Sequence, residues 1–191
     1  MVCYTVVAFS AILIVDNNNG APAPYSTITA AIAAANDGDT IYVQPSATTY
    51  GNFTINKRLI IIGGGAYPLK QNTTTTKTGG ILLEKASSGT IIMGFFIDGN
   101  TPYYGIKANI DSLSNILIAN CYIIRGIQTG KGVNAWIIEG CVFANNGFAI
   151  DIISGSNLLI QNNIMSSGGA SSGDGAINLQ SGSVSNIIIK K

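Results

Sequence analysis

An isoleucine-centred motif recurs along the chain. It is found in the segments 115–121, 134–141, 157–163 and 185–190, and earlier apolar runs extend the series toward the N-terminus. The central isoleucines of the series are Ile61, Ile92, Ile118, Ile138, Ile160 and Ile189. Repeats of about 20 to 30 residues are typical of coils stacked in one dimension, each burying its apolar side against its neighbours. The sequence therefore predicts a solenoid whose recurring isoleucines face a shared core.

Composition narrows the range of functions. The chain has 191 residues, of which 47% are hydrophobic and only 10% are charged, so we expect a single folded domain over residues 1–191. Ten basic and nine acidic residues are scattered along the sequence, which leaves no basic patch for nucleic acid. Histidine is absent, and its absence excludes any mechanism or metal site that needs an imidazole.

The N-terminal region contains an apolar run and a helix. Residues 2–15 are mostly apolar but too few to span a bilayer. They are either the hydrophobic part of a leader or β-strand, and we favour a strand for Ile12–Val15. Residues 26–36 predict a short amphipathic helix with Ser26 as N-cap and Ile28, Ala31, Ile32 and Ala35 on its apolar face. We expect this helix to cap the first coil.

The opening block of the chain resembles a known family. It combines the helix of residues 26–36 with the runs 38–43, 50–57 and 59–63. In this combination it is similar to the N-terminal portion of right-handed parallel β-helix proteins of the pectin-lyase-like superfamily. The resemblance implies an all-β right-handed parallel β-helix with three parallel sheets and an N-terminal capping helix. It identifies a scaffold that carries many unrelated functions.

A second phase of the repeat predicts an outward-facing polar surface. When the strands that begin at Ile41, Ile81, Ile106, Ile127, Ile150 and Ile177 are laid over one another, alternation directs the intervening side chains outward. The predicted ligand-binding face consists of Tyr42, Gln44, Glu84, Lys107, Asn109, Gln128, Asp151, Asn178 and Gln180. By the resemblance, this is the face along which a sugar chain would lie.

Two cysteines and the single tryptophan lie within the coils. Cys121 and Cys141 occupy equivalent places in successive repeats, so we expect them one coil apart. Free buried thiols are favoured over a disulfide, because stacked side chains that point the same way seldom reach the torsion of a disulfide. Trp136 aligns with inward positions, and its indole N–H needs a hydrogen-bond partner or a solvent-facing edge.

The sequence offers only weak candidates for catalytic residues. A polysaccharide lyase needs a base and a cation, and the weak candidates for these roles are Arg125 and Lys107, with calcium as the added cation. Lys107 and Asp151 are expected two strands apart, about 9.6 Å, which is too far for direct pairing. Asp98 and Asp111 lie in turn-like stretches, where turn formation explains them.

The function predicted from these features is a non-catalytic extracellular or cell-surface module, either structural or carbohydrate-binding. It has no cofactor, no metal and no membrane span. One alternative is a lyase acting on uronate-containing polymers. A second is a subunit that stacks end to end, because the last repeat, residues 185–190, has no closing segment and would expose a strand edge. Polysaccharide and a second copy of the chain are the expected partners.

Overall fold

The structure, a computed structural model, describes residues 10–65, 74–99, 104–146, 148–167, 176–180 and 182–191. Within this part of the chain, parallel strands form three sheets. The nine-stranded sheet contains β1 (Ile12–Val15), β2 (Thr40–Val43), β4 (Ile60–Gly63), β7 (Ile91–Met93), β10 (Leu117–Ala119), β13 (Val133–Asn134), β14 (Ile137–Glu139), β17 (Gly155–Gln161) and β20 (Val184–Lys190). The six-stranded sheet contains β3 (Phe53–Ile55), β6 (Ile81–Leu83), β9 (Ile106–Ala108), β12 (Ile127–Gln128), β16 (Ile150–Ile152) and β19 (Ile177–Leu179). The five-stranded sheet contains β5 (Lys77–Thr78), β8 (Phe96–Ile97), β11 (Tyr122–Ile124), β15 (Val142–Asn146) and β18 (Ile164–Ser167).

The path of the chain is that of a parallel β-helix. From β4 onward the chain visits the nine-, five- and six-stranded sheets in turn, and each strand pairs with its equivalent in the next coil. Short strands of alternating burial produce this path, because every second side chain points into the interior. The solenoid that the repeat predicted is confirmed, and so is the all-β parallel β-helix that the resemblance implied.

The recurring isoleucines form the core, with one exception. Ile61, Ile92, Ile118 and Ile138 are fully buried and Ile160 is 2% exposed. Ile189 keeps the register by pairing with Ile160, but its side chain is 59% exposed. Its expected burial is wrong, because β20 is the last strand of the nine-stranded sheet and the described residues place no coil beyond it.

Sharp corners follow the strands of the nine-stranded sheet. Gly94, Asn120, Gly140 and Asn162 occupy equivalent corner positions with φ of 77, 51, 61 and 53°. Glycine and asparagine tolerate this left-handed conformation better than other residues do. The corner turns the chain directly into the five-stranded sheet, and this explains why these residue types recur in the motif.

The capping helix is shorter than predicted. Helix α1 covers Ile28–Ala34, and Thr27 rather than Ser26 is its N-cap, since the Thr27 hydroxyl accepts a 3.2 Å hydrogen bond from the N–H of Ala30. A cap side chain bonds the N–H three residues on, which places the cap at Thr27. The predicted apolar face of the helix is buried. At the other end, the ammonium of Lys57 donates to the carbonyl oxygens of Ile32, Ala33 and Ala35 at 2.7 to 3.1 Å.

The predictions for the first strand, the two cysteines and the tryptophan are confirmed. The strand at Ile12–Val15 is present, while residues 2–9 lie outside the described residues. Cys121 and Cys141 are adjacent between coils, and both are free and buried. Trp136 is fully buried, and its Nε1–H donates to the carbonyl of Leu113 at 3.0 Å. Among the described residues, no helix is long and apolar enough to cross a membrane.

Candidate functional site

On the outward side of the six-stranded sheet, one residue from each strand lines up in a mostly polar column. Strand register places its members in the order Thr54, Leu82, Lys107, Gln128, Asp151 and Asn178. Four of the six are therefore the predicted ones, Lys107, Gln128, Asp151 and Asn178. Lys107 and Asp151 are separated by the strand that carries Gln128, as expected.

Tyr42 and Gln44 do not belong to this face, and the prediction that placed them there is wrong. Tyr42 lies on β2 of the nine-stranded sheet, where it pairs with Ile14 and Ile62. Gln44 follows the same strand, and its backbone N–H donates to the carbonyl of Val15 at 2.9 Å. The corresponding strand of the six-stranded sheet is β3, which supplies Thr54 instead.

A second outward column lies at the C-terminal ends of the same strands. Here the amide nitrogen of Asn109 donates to the carboxylate of Glu84 at 2.9 Å, so these two predicted residues are neighbours on adjacent coils. Gln180 ends the same column and reaches sideways to Asp151. The structure thus brings together all the predicted face residues except Tyr42 and Gln44.

Asp151 is the centre of a hydrogen-bond network. Its side chain points away from the core, yet the residue is only 1% exposed because neighbouring side chains cover it. Tyr104 and Gln128 donate to Oδ2 at 2.6 and 2.9 Å, and Asn178 donates to Oδ1 at 2.8 Å. Gln180 donates to both oxygens, at 3.0 and 2.9 Å. The carboxylate therefore accepts five contacts from four side chains.

The network explains the direction of two pKa shifts. Burial raises the pKa of Asp151, but hydrogen bonds from Tyr104, Gln128, Gln180 and Asn178 outweigh it, and the pKa is lowered from its usual 3.8. The pKa of Tyr104 is raised, first by burial and then by its bond to the Asp151 carboxylate. Asp151 is therefore an anion at neutral pH, and Tyr104 keeps its proton.

The network also fixes the orientation of the surrounding amides. A carboxylate accepts hydrogen bonds only, so Gln128, Asn178 and Gln180 must each turn their nitrogen toward Asp151. Their carbonyl oxygens are then directed away from it, where they can accept hydrogen bonds from a ligand. Side chains already held in one orientation lose less conformational entropy on binding. The arrangement is a pre-organised row of hydrogen-bonding groups.

An open depression of about 450 Å³ adjoins this row. Its polar lining residues are Lys107, Asn109, Asp111, Gln128 and Lys131. Asp111 accepts a 2.9 Å hydrogen bond from the backbone N–H of Lys131. Two lysines and one carboxylate line the depression, and the carboxylates of Glu84 and Asp151 lie at its edge, where they accept hydrogen bonds from Asn109 and Gln128.

The two candidate catalytic cations do not come together. Lys107 lines the depression, whereas Arg125 is not among its lining residues. Arg125 lies exposed at the corner between β11 and β12, where its φ is 71°. Among the described residues, no three Asp, Glu or Cys side chains are grouped so that they could hold a metal ion.

Sequence reasoning missed Tyr104 and Lys131. Lys131 follows β12 in a turn, and its carbonyl accepts the backbone N–H of Ser112 from the preceding coil, a contact that no local pattern in the sequence indicates. Tyr104 precedes β9 by two residues and reaches Asp151, which is 47 residues further along the chain. No spacing rule predicts such a contact. A tyrosine next to a strand indicates only that its hydroxyl needs a hydrogen-bond partner when the ring is buried.

The chain was compared with family models, curated proteins and solved structures. No family model matches the sequence, and no curated protein matches it. Among solved structures, the chain is similar to the crystal structure of a pectin methylesterase from Aspergillus niger. The sequences are 12% identical, the match covers 97% of this chain and 87% of the esterase, and the TM-score is 0.31. A TM-score this low supports no conclusion about the fold or the ligands of this chain.

Proposed function

We propose that the protein is a non-catalytic β-helix module that binds acidic polysaccharide on the outward side of its six-stranded sheet. The observation that carries the proposal is the row of amides fixed by Asp151 beside a depression lined by Lys107 and Lys131. An extracellular or cell-surface location belongs to the same proposal, and the resemblance of the opening block is its support.

The hydrogen-bonding groups suit a polyhydroxylated ligand. Sugar hydroxyls both donate and accept, and the amides of Gln128, Asn109 and Gln180 offer both functions on one surface. The row runs across successive coils at about 4.8 Å per step, so an extended polymer meets several amides in sequence. A small ligand would engage only part of it.

The two lysines favour a polymer that bears carboxylates. Lys107 is partly exposed and Lys131 is exposed, and both line the depression. Asp111, Glu84 and Asp151 are the acidic neighbours, but all three carboxylates already accept hydrogen bonds within the protein. A uronate carboxylate can therefore approach either ammonium, whereas a neutral glucan gains only hydrogen bonds.

The same geometry favours binding over elimination. Proton abstraction needs a base that can reach the substrate. Asp151 is 1% exposed and its oxygens already accept five contacts, so it is a poor base. Arg125 lies outside the depression and cannot assist Lys107 there. We therefore rank the lyase, with calcium as its cation, below binding.

Titration calorimetry with polygalacturonate tests the proposal. We expect binding that weakens as salt is raised, and a loss of roughly tenfold in affinity when Lys107→Ala and Lys131→Ala are combined, since each exposed charge contributes up to about 1 kcal/mol. Lys190→Ala, which removes an exposed lysine from β20, is the matched control and should leave affinity unchanged.

Three results would contradict the proposal. They are the absence of binding, equal binding of a neutral glucan, and an equal loss of affinity in the Lys190→Ala control. Absorbance from unsaturated chain ends, produced with calcium present, would establish the lyase instead.

A further inference from the structure

A groove lies between α1 and β3, the first strand of the six-stranded sheet. Its volume is about 480 Å³, which is within the range of small-molecule sites. Its polar lining residues are Thr29, Asn52, Thr54, Asn56 and Lys57, and we call it the cap groove. Ile32 and Phe53, each 4% exposed, add an apolar part to the lining. The cap groove adjoins the binding face, because Thr54 is also the first member of its polar column.

Strand β3 places three of these polar side chains. Asn52, Thr54 and Asn56 occupy alternate positions and are exposed or partly exposed, while the residues between them are buried. The Oδ1 of Asn52 accepts the backbone N–H of Gly80 at 2.8 Å, so the orientation of this amide is fixed. Among the described residues nothing accepts a hydrogen bond from its NH₂ group, which is left for a ligand.

The cap groove offers a ligand no free charge. Among the described residues that line it, only Lys57 is charged, and its ammonium already donates to three carbonyl oxygens at the C-terminal end of α1, at 2.7 to 3.1 Å. A carboxylate placed in the groove would lose part of its hydration without gaining a cation, which is unfavourable. An uncharged sugar unit finds amide and hydroxyl groups that both donate and accept.

Strand β6 separates the cap groove from the depression at Lys107. The outward residues of this region are Leu82, which is partly exposed, and Glu84, just beyond the strand. Glu84 lies next to Asn56, because its backbone N–H donates to the carbonyl of Ile55 at 2.9 Å. A carboxylate of the polymer above β6 would meet the like charge of Glu84, whereas a sugar hydroxyl can donate to it.

We propose that the cap groove is a second subsite of the binding face and that it takes an uncharged sugar unit. The inference rests on the proposed function and specifies its ligand as a polymer in which uncharged units adjoin uronate units. Thr54 and Lys107 are two strands apart, about 9.6 Å, so one extended oligosaccharide reaches both sites. Its uronate carboxylate lies at Lys107 and Lys131, and its uncharged units lie over β6 and in the cap groove.

Titration calorimetry with defined hexasaccharides tests this inference. The probes are a galacturonate hexamer and two block oligomers, in which three galacturonate units precede or follow three galactose units. A sugar chain has a direction, so only one block order fits both sites. We expect that block oligomer to bind about fivefold more tightly than the galacturonate hexamer, because it avoids the repulsion by Glu84.

Two variants separate the contributions of charge and hydrogen bonding. Glu84→Gln should raise the affinity for the galacturonate hexamer about threefold to fivefold. Glu139→Gln is the matched control and should leave it unchanged, since Glu139 also accepts one amide hydrogen bond, from Gln161 at 2.8 Å, but lies on the nine-stranded sheet. Asn56→Ala should weaken binding of the better block oligomer about fivefold. It should not affect a galacturonate trimer, which is too short to reach from the depression into the cap groove.

The possible outcomes distinguish this inference from the proposed function. Block oligomers that bind no more tightly than the galacturonate hexamer overturn the second subsite. So does an unchanged affinity of the block oligomer in Asn56→Ala, or an equal gain in Glu84→Gln and Glu139→Gln. Each of these results leaves the proposed function in place if binding still depends on Lys107 and Lys131. Absence of binding by every uronate oligomer would overturn both.

Discussion

Replacing Asp151 with asparagine is the most informative single change in the polar network. The substitution keeps the size of the side chain, removes the charge and converts one acceptor oxygen into a donor. The least disruptive orientation keeps the oxygen toward Tyr104 and Gln128 and turns the new NH₂ group toward Asn178. The hydrogen bond from Asn178, 2.8 Å in the wild type, is then lost, together with one of the two contacts from Gln180.

The expected loss of stability follows from these contacts. A hydrogen bond to a charged group contributes about 1.5 to 3 kcal/mol. Gln180 is exposed and Asn178 partly exposed, so water replaces part of what is lost. We therefore expect Asp151→Asn to lower the free energy of unfolding by about 2 kcal/mol at neutral pH.

Urea denaturation at several pH values is the assay. The pKa of Asp151 in the folded state lies below its ordinary 3.8, so the carboxylate stabilises the fold fully above that pH. This contribution is lost as pH falls through the folded pKa. The difference between wild type and Asp151→Asn should therefore be largest at neutral pH and shrink under strong acid. Asp111→Asn, which removes an exposed carboxylate, is the matched control. Its effect on the free energy of unfolding should be much smaller.

Two outcomes would refute this reasoning. One is a difference at neutral pH below about 0.5 kcal/mol, the range of ordinary surface substitutions. The other is a difference of the full size that persists when the wild-type carboxyl is protonated. Either outcome would mean that Asp151 does not hold the amides in place.

Three further predictions concern the scaffold. Trp136→Phe should cost about 1 to 3 kcal/mol in urea denaturation, since it makes a fully buried ring smaller and removes the indole hydrogen bond to the carbonyl of Leu113, which keeps only the N–H of Asn134. Lys57→Met should raise the hydrogen-exchange rates of α1, whose last carbonyls lose the ammonium cap, while exchange in the central coils stays unchanged. Asn162→Ala should cost about 1 kcal/mol because alanine resists positive φ, and Asn162→Gly should cost less; equal costs would contradict the conformational reason.

The core was predictable because its signal is repeated. Ile92, Ile118 and Ile138 each stand at the centre of the same local pattern. An error in aligning one coil would therefore disagree with the alignment of the coils on either side. The face was less predictable because strands of different sheets share that pattern. Ile41-Tyr42-Val43 alternates just as Ile106-Lys107-Ala108 does, so alternation alone could not assign β2 to the nine-stranded sheet.

The strand that belongs in the first coil of the six-stranded sheet has a different inward residue. Phe53 takes the position that isoleucine fills elsewhere, so a search for isoleucine passed over β3. The contact of Tyr104 with Asp151 depends on three-dimensional proximity between coils, which no local pattern encodes.

An NMR titration with oligomers of galacturonate tests the central claim most directly, because it observes the side-chain amides themselves. The account predicts that the NH₂ signals of Gln128 and Asn109 shift on addition of the oligomer. The signals of Asn157 and Asn186, at a corner of the nine-stranded sheet, should stay in place. Shifts at the two corner asparagines without shifts at Gln128 and Asn109 would contradict the binding face assigned to this protein.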